Sequence, residues 1–263
     1  MLKIRSVAIW GVLATCLACG QGGSGVAEAG PEKLAPADLT LEELLANHLA
    51  ARGGAEAIEG LRSVVKQGTM GTSDFVGKEV VAKVRVGERY IRRVDYDGQE
   101  IYSGFDGTKA WQKGSVPGVE GVQELSPKVS AVVRSELDLA GPLVDSQAKG
   151  HQLELLGRSR HGYKVRIVTP DGLDRNFYVD AETFQINRIR EFREFSGTEF
   201  EVVVDFDRYQ AVGGVQLAHL EELHIEAIDF DQLIKWDSII ANPDLPEEDF
   251  APPAADLGET PEP

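Results

Sequence analysis

Three stretches of this chain alternate apolar and polar residues with a period of two, and no other feature restricts the fold as tightly. Val80, Ala82, Val84 and Val86 alternate with Glu79, Lys83 and Arg85; Tyr163, Val165 and Ile167 with Lys164 and Arg166; Phe200, Val202, Val204 and Phe206 with Glu201 and Asp205. Successive side chains of a strand point to opposite faces, so each stretch makes a strand with one dry face and one wet face, the habit of antiparallel sheets. The turns agree. Asp97-Gly98 and Asp106-Gly107 separate strand-like runs at 89–96, 99–105 and 108–113, and Asp171-Gly172 and Gly213-Gly214 mark further reversals. The pattern predicts about ten or eleven strands in a meander.

Helical signals are few. Thr40-x-x-Glu43 is a capping-box signature, and Leu41, Leu44, Leu45, His48 and Leu49 follow at helical spacing until Gly53-Gly54 stops them. A short second helix over Ala55–Glu59 then leads to a first strand near Leu61. Ser126-Pro127 supplies an N-cap and a first helical position, and Val129, Val132, Val133 and Leu137 fall on one stripe. The region 126–147 is thus predicted as two short helices, ended or kinked at Pro142. The whole is α+β, mostly β.

The N-terminus carries an address. Lys3 and Arg5 precede an apolar run from Ser6 to Ala18, too short for a conventional span of about 20 residues. The run ends in Ala14-Thr15-Cys16-Leu17-Ala18-Cys19-Gly20, which resembles a bacterial lipobox. Cys19 is the better acceptor because Ala18 precedes it, although the Leu expected three residues upstream is present only for Cys16, as Leu13. The resulting division is a lipoprotein signal peptide at 1–18, a flexible Gly-, Ala- and Pro-rich tether at 19–38 beginning with lipidated Cys19, a folded domain at 39–252, and an acidic Pro-rich tail at 253–263; the stretch from Asn242 onward reads as solvated except where Phe250 docks. The resemblance to lipoproteins of bacteria with two membranes implies, from Gly20 in place of Asp after the acceptor, the outer membrane rather than the inner, facing the periplasm.

Composition closes off several functions. Across 263 residues, 43 acids oppose 27 bases for a formal charge of −16, which excludes a nucleic-acid partner, since phosphate affinity rests on clustered Lys and Arg. Two cysteines provide no disulfide scaffold and no four-ligand zinc site. Gly20-x-Gly22-x-x-Gly25 lacks the βαβ setting of a dinucleotide fingerprint. His219 and His224 are five apart in a strand-like segment, so they face opposite ways and make no metal pair. Asp95, Asp97 and Glu100 lack the later ligands of a calcium loop and read as a solvated turn. There is no Gly-x-Ser-x-Gly elbow, Walker loop or His-Glu-x-x-His, so no catalytic residue, metal or cofactor is expected and the chain is read as a non-enzyme.

Several ordered stretches resemble the LolA/LolB-like periplasmic family of lipoprotein carriers and receptors. They are His48-Leu-Ala-Ala-Arg-Gly53-Gly54 with Glu56-Ala-Ile-Glu-Gly-Leu61; Leu139-Ala-Gly-Pro-Leu143-Val-Asp145 with Gly150-His-Gln-Leu-Glu-Leu-Leu-Gly157; Tyr178-Val-Asp180-Ala-Glu-Thr183-Phe-Gln-Ile186; Phe206-Asp-Arg-Tyr209-Gln-Ala-Val212-Gly-Gly-Val215-Gln-Leu217; and the closing Asn242-Pro-Asp-Leu-Pro-Glu-Glu-Asp-Phe250-Ala-Pro252. The resemblance implies an open, strongly curved antiparallel half-barrel whose concave face is covered by helices. It further implies an acyl chain, lipid or lipidated protein as partner, held in an apolar cavity between sheet and helices, and a membrane contact through the N-terminal lipid anchor. No ligand-handling residue of the family aligns onto this chain.

The physical argument is parallel: a one-sided apolar sheet covered by two or three short helices leaves either a packed core or a gap, and a dry gap accepts hydrocarbon. Candidates for its lining are Val84, Tyr90, Ile101, Phe105, Trp111, Val133, Leu137, Val165, Phe177, Phe200, Val202 and Val204. The alternative is an envelope interaction or stress-sensing lipoprotein of the same fold with no lipid cargo.

Overall fold

The computed structural model describes residues 32–72, 75–96, 99–114, 121–195 and 198–253. The signal segment, Cys16, Cys19, residues 19–31 of the expected tether, Asp97-Gly98 and the tail from residue 254 lie outside them. In chain order the elements are α1 (Leu41–Ala51), α2 (Ala55–Gly60), β1 (Ser63–Thr72), β2 (Phe75–Arg85), β3 (Arg89–Tyr96), β4 (Gln99–Phe105), β5 (Ala110–Lys113) and β6 (Val122–Glu124). There follow α3 (Pro127–Ser135), β7 (Gln152–Ser159), β8 (Gly162–Val168), β9 (Asp174–Val179), β10 (Ile186–Phe195), β11 (Thr198–Val212), β12 (Val215–Ile225) and β13 (Phe230–Ala241).

All thirteen strands belong to one antiparallel sheet in the order β6-β5-β4-β3-β2-β1-β13-β12-β11-β10-β9-β8-β7. The sheet is open and curved, with β6 and β7 as its edges. It holds more strands than the ten or eleven the alternation predicts; one of the additional strands is β6, three residues long and too short to show a period.

The helices lie on one face. Thr40 caps α1 as a full box: its Oγ1 accepts from the Glu43 N–H at 3.2 Å, and its own N–H donates to Glu43 Oε2 at 2.8 Å. Gly53 ends α1 with φ of 116° and sits so close to the β11–β12 turn that a Cβ there would stand 2.1 Å from the Gly214 carbonyl oxygen. That turn is the two-residue Gly213-Gly214, with φ of 59° and 86°, the positive pair a tight hairpin requires. Ser126 Oγ caps α3 by accepting from the Val129 N–H, and Pro127 occupies its first position. The second helix expected before residue 147 is absent. After α3 the chain passes through successive turns from 136 to 150, because Gly141 adopts φ of 84° and Pro142 cannot continue a helical hydrogen-bond ladder.

Alternation sorts the core into two faces. Val64, Val80, Val84, Tyr90, Val94, Ile101 and Phe105 of β1–β4 pack on the inner face with Leu125, Val133 and Leu137. Leu44 of α1 packs with Leu143 on the inner face of β8–β10, against Tyr163, Val165, Ile167, Phe177, Val179 and Ile186. The outer face of β1–β5 has a cover of its own: Ile91 and Trp111 pack with Leu245 and Phe250 from the segment after β13, and Phe250 is fully buried.

Residues 32–38 lie against the β7 edge and its neighbours. Ala35 and Arg158 exchange two 2.8 Å backbone hydrogen bonds. Glu32 Oε2 accepts from Lys164 Nζ at 2.8 Å and from the Tyr178 hydroxyl at 2.6 Å, and Asp38 Oδ1 accepts from the Tyr163 hydroxyl at 2.7 Å.

Candidate functional site

Two strand groups on the inner face meet different cover. Over β4 and β5 lies α3, which also reaches β10; over β9–β13 lie chiefly α1, α2 and the turns following α3, and between α3, those turns and the strands a cavity of about 780 Å³ remains. Its upper wall is formed by Ala131, Val132, Leu137, Leu139 and Pro142. Its floor comes from alternate residues of five strands: Phe177 of β9, Ile186 and Ile189 of β10, Val204 and Phe206 of β11, Leu217 and Leu223 of β12, and Ile234 of β13. Volume and lining place it within the roughly 300–1,000 Å³ range of small-molecule sites.

The cavity wall also carries charge. Arg175 on β9 and Arg193 on β10 flank Glu191: Arg175 Nε donates to Glu191 Oε2 at 2.5 Å and Arg193 Nε to Oε1 at 2.6 Å. Glu191 is 4% exposed. Burial pushes its carboxyl up, but Arg193 and Arg175 outweigh burial and hold it below the ordinary carboxylate range. Further along the wall, Glu221 accepts from Trp236 Nε1 at 2.7 Å and pairs with Lys66 at 3.5 Å. Arg52, at the end of α1, donates to the Leu139 carbonyl at 2.6 Å, while its buried Nε has no partner among the described residues. Burial lowers the proton affinity of its guanidinium.

His48, one turn before Arg52, is fully buried; its Nδ1 lies 2.7 Å from the Phe184 carbonyl oxygen. Burial, reinforced by Arg52, depresses the imidazole to about 4 against a carbonyl contact that raises it, so His48 is neutral at pH 7 and Nδ1 is the donor.

Of the twelve lining candidates, Leu137, Phe177 and Val204 line the cavity. Val84, Tyr90, Ile101, Phe105 and Val133 lie in the packed cluster beneath α3. Val165 packs under α1, and Phe200 and Val202 pack with Val204, Leu223 and Ile225 without lining the cavity themselves. Trp111 is on the outer face under Phe250, because its neighbours Ala110 and Gln112 take the inner positions of β5. His219 is buried with Nδ1 3.1 Å from the Leu217 carbonyl, and His224 lies on the other face with Nδ1 2.5 Å from Asp231. Glu100 accepts from Arg93 and Tyr102. Among the described residues, no three His, Cys, Asp or Glu side chains stand together as a metal site would need.

No protein-family model matches the sequence, and no curated protein matches it significantly. Solved structures do. A LolA superfamily protein from Nitrosomonas europaea superposes with a TM-score of 0.54 at 12% identity, over 81% of this chain and 98% of its own. An outer membrane lipoprotein-sorting protein domain from Vibrio parahaemolyticus gives 0.53 at 11% identity, over 80% and 97%. A DUF1329 family protein from Desulfovibrio piger gives 0.55 at 10% identity, over 80% and 97%. The fold is LolA-like. In this LolA-like fold the expected open sheet with helices on its inner face is present, and the cavity described above lies between the two. What alternation alone missed is its charged wall: Arg175, Glu191 and Arg193 occupy inner positions that an apolar pattern does not mark.

Proposed function

We propose that this chain is a lipid-anchored protein of the bacterial envelope that holds an acyl chain, as a free lipid or on a lipidated protein, in the cavity between β9–β13 and the turns after α3, without catalysis. The cavity of about 780 Å³ carries this reading. The part of the hollow lined by Leu137, Phe177, Ile189, Val204 and Leu223 offers apolar surface, and each methylene buried against it contributes roughly 0.8 kcal/mol. The lipoprotein-sorting name of the Vibrio parahaemolyticus neighbour is consistent with it. The lipobox-like Ala18-Cys19 supports the anchor, and Gly20 supports placement in the outer membrane facing the periplasm.

Two measurements test the proposal. Metabolic labelling with palmitate is expected to mark the wild-type chain and to fail for Cys19→Ala; labelling that persists in C19A and disappears in Cys16→Ala moves the anchor to Cys16. Native mass spectrometry of the full chain in non-ionic amphipol, free of detergent, is expected to show a bound acyl lipid that Val204→Trp displaces. A chain that carries no lipid, and takes up none when palmitate is supplied, overturns the cavity's assigned role.

A further inference from the structure

The charged group in the cavity wall has one more positive charge than it needs. Arg175 and Arg193 share the single carboxylate of Glu191, and no other carboxylate lies within 4 Å of either guanidinium among the described residues. Arg175 is 8% exposed, yet among the described residues Nε is the only nitrogen of its side chain with a hydrogen-bond partner. Its two terminal nitrogens are left for the cavity it lines. The surplus is local: the chain as a whole carries −16. One carboxylate between two guanidiniums leaves the trio with a net positive charge, and in a wall facing an open hollow an anion in the hollow can balance it.

Position adds a second observation. Glu191 and Arg193 also line a neighbouring hollow of about 460 Å³, where Lys128, Arg166, Asp174, Glu199 and Glu201 make a polar lining. Glu191 and Arg193 therefore stand where an apolar chamber meets a polar one, and Arg175 lies beside them on the side of the larger chamber. A hydrocarbon chain in the larger chamber would bring its head to that junction, beside the unengaged nitrogens of Arg175. A planar guanidinium with two free N–H groups suits a two-oxygen acceptor.

We infer that the cavity is selective for anionic amphiphiles, an acyl chain ending in a carboxylate or phosphate, and that Arg175 and Arg193 bind the oxyanion head at the junction of the two hollows. The inference rests on the acyl-chain reading of the cavity and adds the chemical class of the head group.

Equilibrium binding of tritiated palmitate and tritiated hexadecanol to the full chain in non-ionic amphipol tests it, since the two probes share a chain length and differ in head charge. Palmitate is expected to bind about tenfold or more tighter, as a charge-assisted hydrogen bond in a low-dielectric wall implies. In Arg175→Gln that preference is expected to disappear while hexadecanol affinity stays within about twofold. R175Q leaves a balanced Glu191–Arg193 pair, so the fold is not burdened with a new unpaired charge; Arg193→Gln leaves the Glu191–Arg175 pair and serves as the independent variant.

Equal affinity for the two probes, or a preference that survives in both R175Q and R193Q, overturns the inference and leaves the chain-binding reading standing. Failure of both probes to bind defeats that reading and the inference with it. Hexadecyl phosphate in place of palmitate names the head group: whichever oxyanion binds tighter is the one the site fits.

Discussion

The β1–β5 half of the sheet and the β9–β13 stretch are built from the same alternation, yet one is solid and the other hollow. Beneath α3, Val84, Tyr90 and Ile101 meet Val133 and Leu137 directly, and on the reverse face Ile91 and Trp111 meet Phe250. Beneath the turns at 136–150, Phe177, Ile189 and Val204 meet space. Strand sequence does not decide the difference. The cover does: nine residues of helix present a continuous apolar stripe to β4 and β5, whereas Gly141-Pro142 breaks the chain into turns that bridge the remaining strands without filling down to them. An apolar inner face is therefore a necessary sign of a cavity here, and the spacing of what lies above it is the sufficient one.

Truncation in the solid half is the harshest way to break this comparison. Phe250→Ala is expected to destabilise the protein by about 3–5 kcal/mol, the range for a fully buried aromatic ring, read from the denaturant midpoint at unchanged slope. A loss under about 1 kcal/mol would mean that the outer cover is an accessory and the solid half is not closed on both faces.

Enlargement sharpens the contrast. Val84→Phe, in full contact on all sides, is expected to lose about 1–3 kcal/mol to overpacking, while Val204→Phe, which can expand into the hollow, is expected to stay within about 0.5 kcal/mol and to weaken palmitate binding. Equal losses would show the two regions to be equally filled.

Acidity probes the α1 cover. His48 is neutral in the fold at about 4 and titrates near 6.5 when unfolded, so below pH 6.5 the unfolded chain binds the extra proton and stability falls as pH drops towards 4. Between pH 7 and pH 5 the loss assignable to this residue is about 2 kcal/mol, and His48→Gln, which retains a donor for the Phe184 carbonyl, is expected to remove that share of the slope. An identical pH profile in H48Q would place the acid sensitivity elsewhere. The mildest effect is expected at the helix entrance, where Thr40→Ala loses about 1 kcal/mol with its cap.

Local chemistry made much of the framework legible. Thr40-x-x-Glu43 gave the start of α1, Ser126-Pro127 the start of α3, and Gly213-Gly214 a hairpin, because each is decided within four residues. The charged wall was hidden for a physical reason. In β10 the run Ile189-Arg-Glu-Phe-Arg193 inverts the usual polarity: Glu191 and Arg193 face inward while Phe192 is 63% exposed, and a break in register between Ile186 and Arg188 sets that phase. Neither the inversion nor the partner at Arg175, sixteen residues away, can be read from a strand taken alone. The candidates misplaced relative to the hollow share one cause: Tyr90, Ile101 and Val133 are as apolar as Phe177 and Val204, and only the third dimension separates a filled neighbour from an empty one.

The sheet ends at β6 on one side and at β7, bridged among the described residues only by Ala35, on the other, and this openness bears on how the proposed guest would enter the hollow. A closed barrel of fixed strand number has a girth set by its ladder, so admitting a wider guest means tearing a seam. An unsealed sheet has no seam. Its margins can splay and recover by small changes of twist spread over twelve strand junctions, with every ladder bond kept, so guests of differing bulk can be admitted by flexure alone.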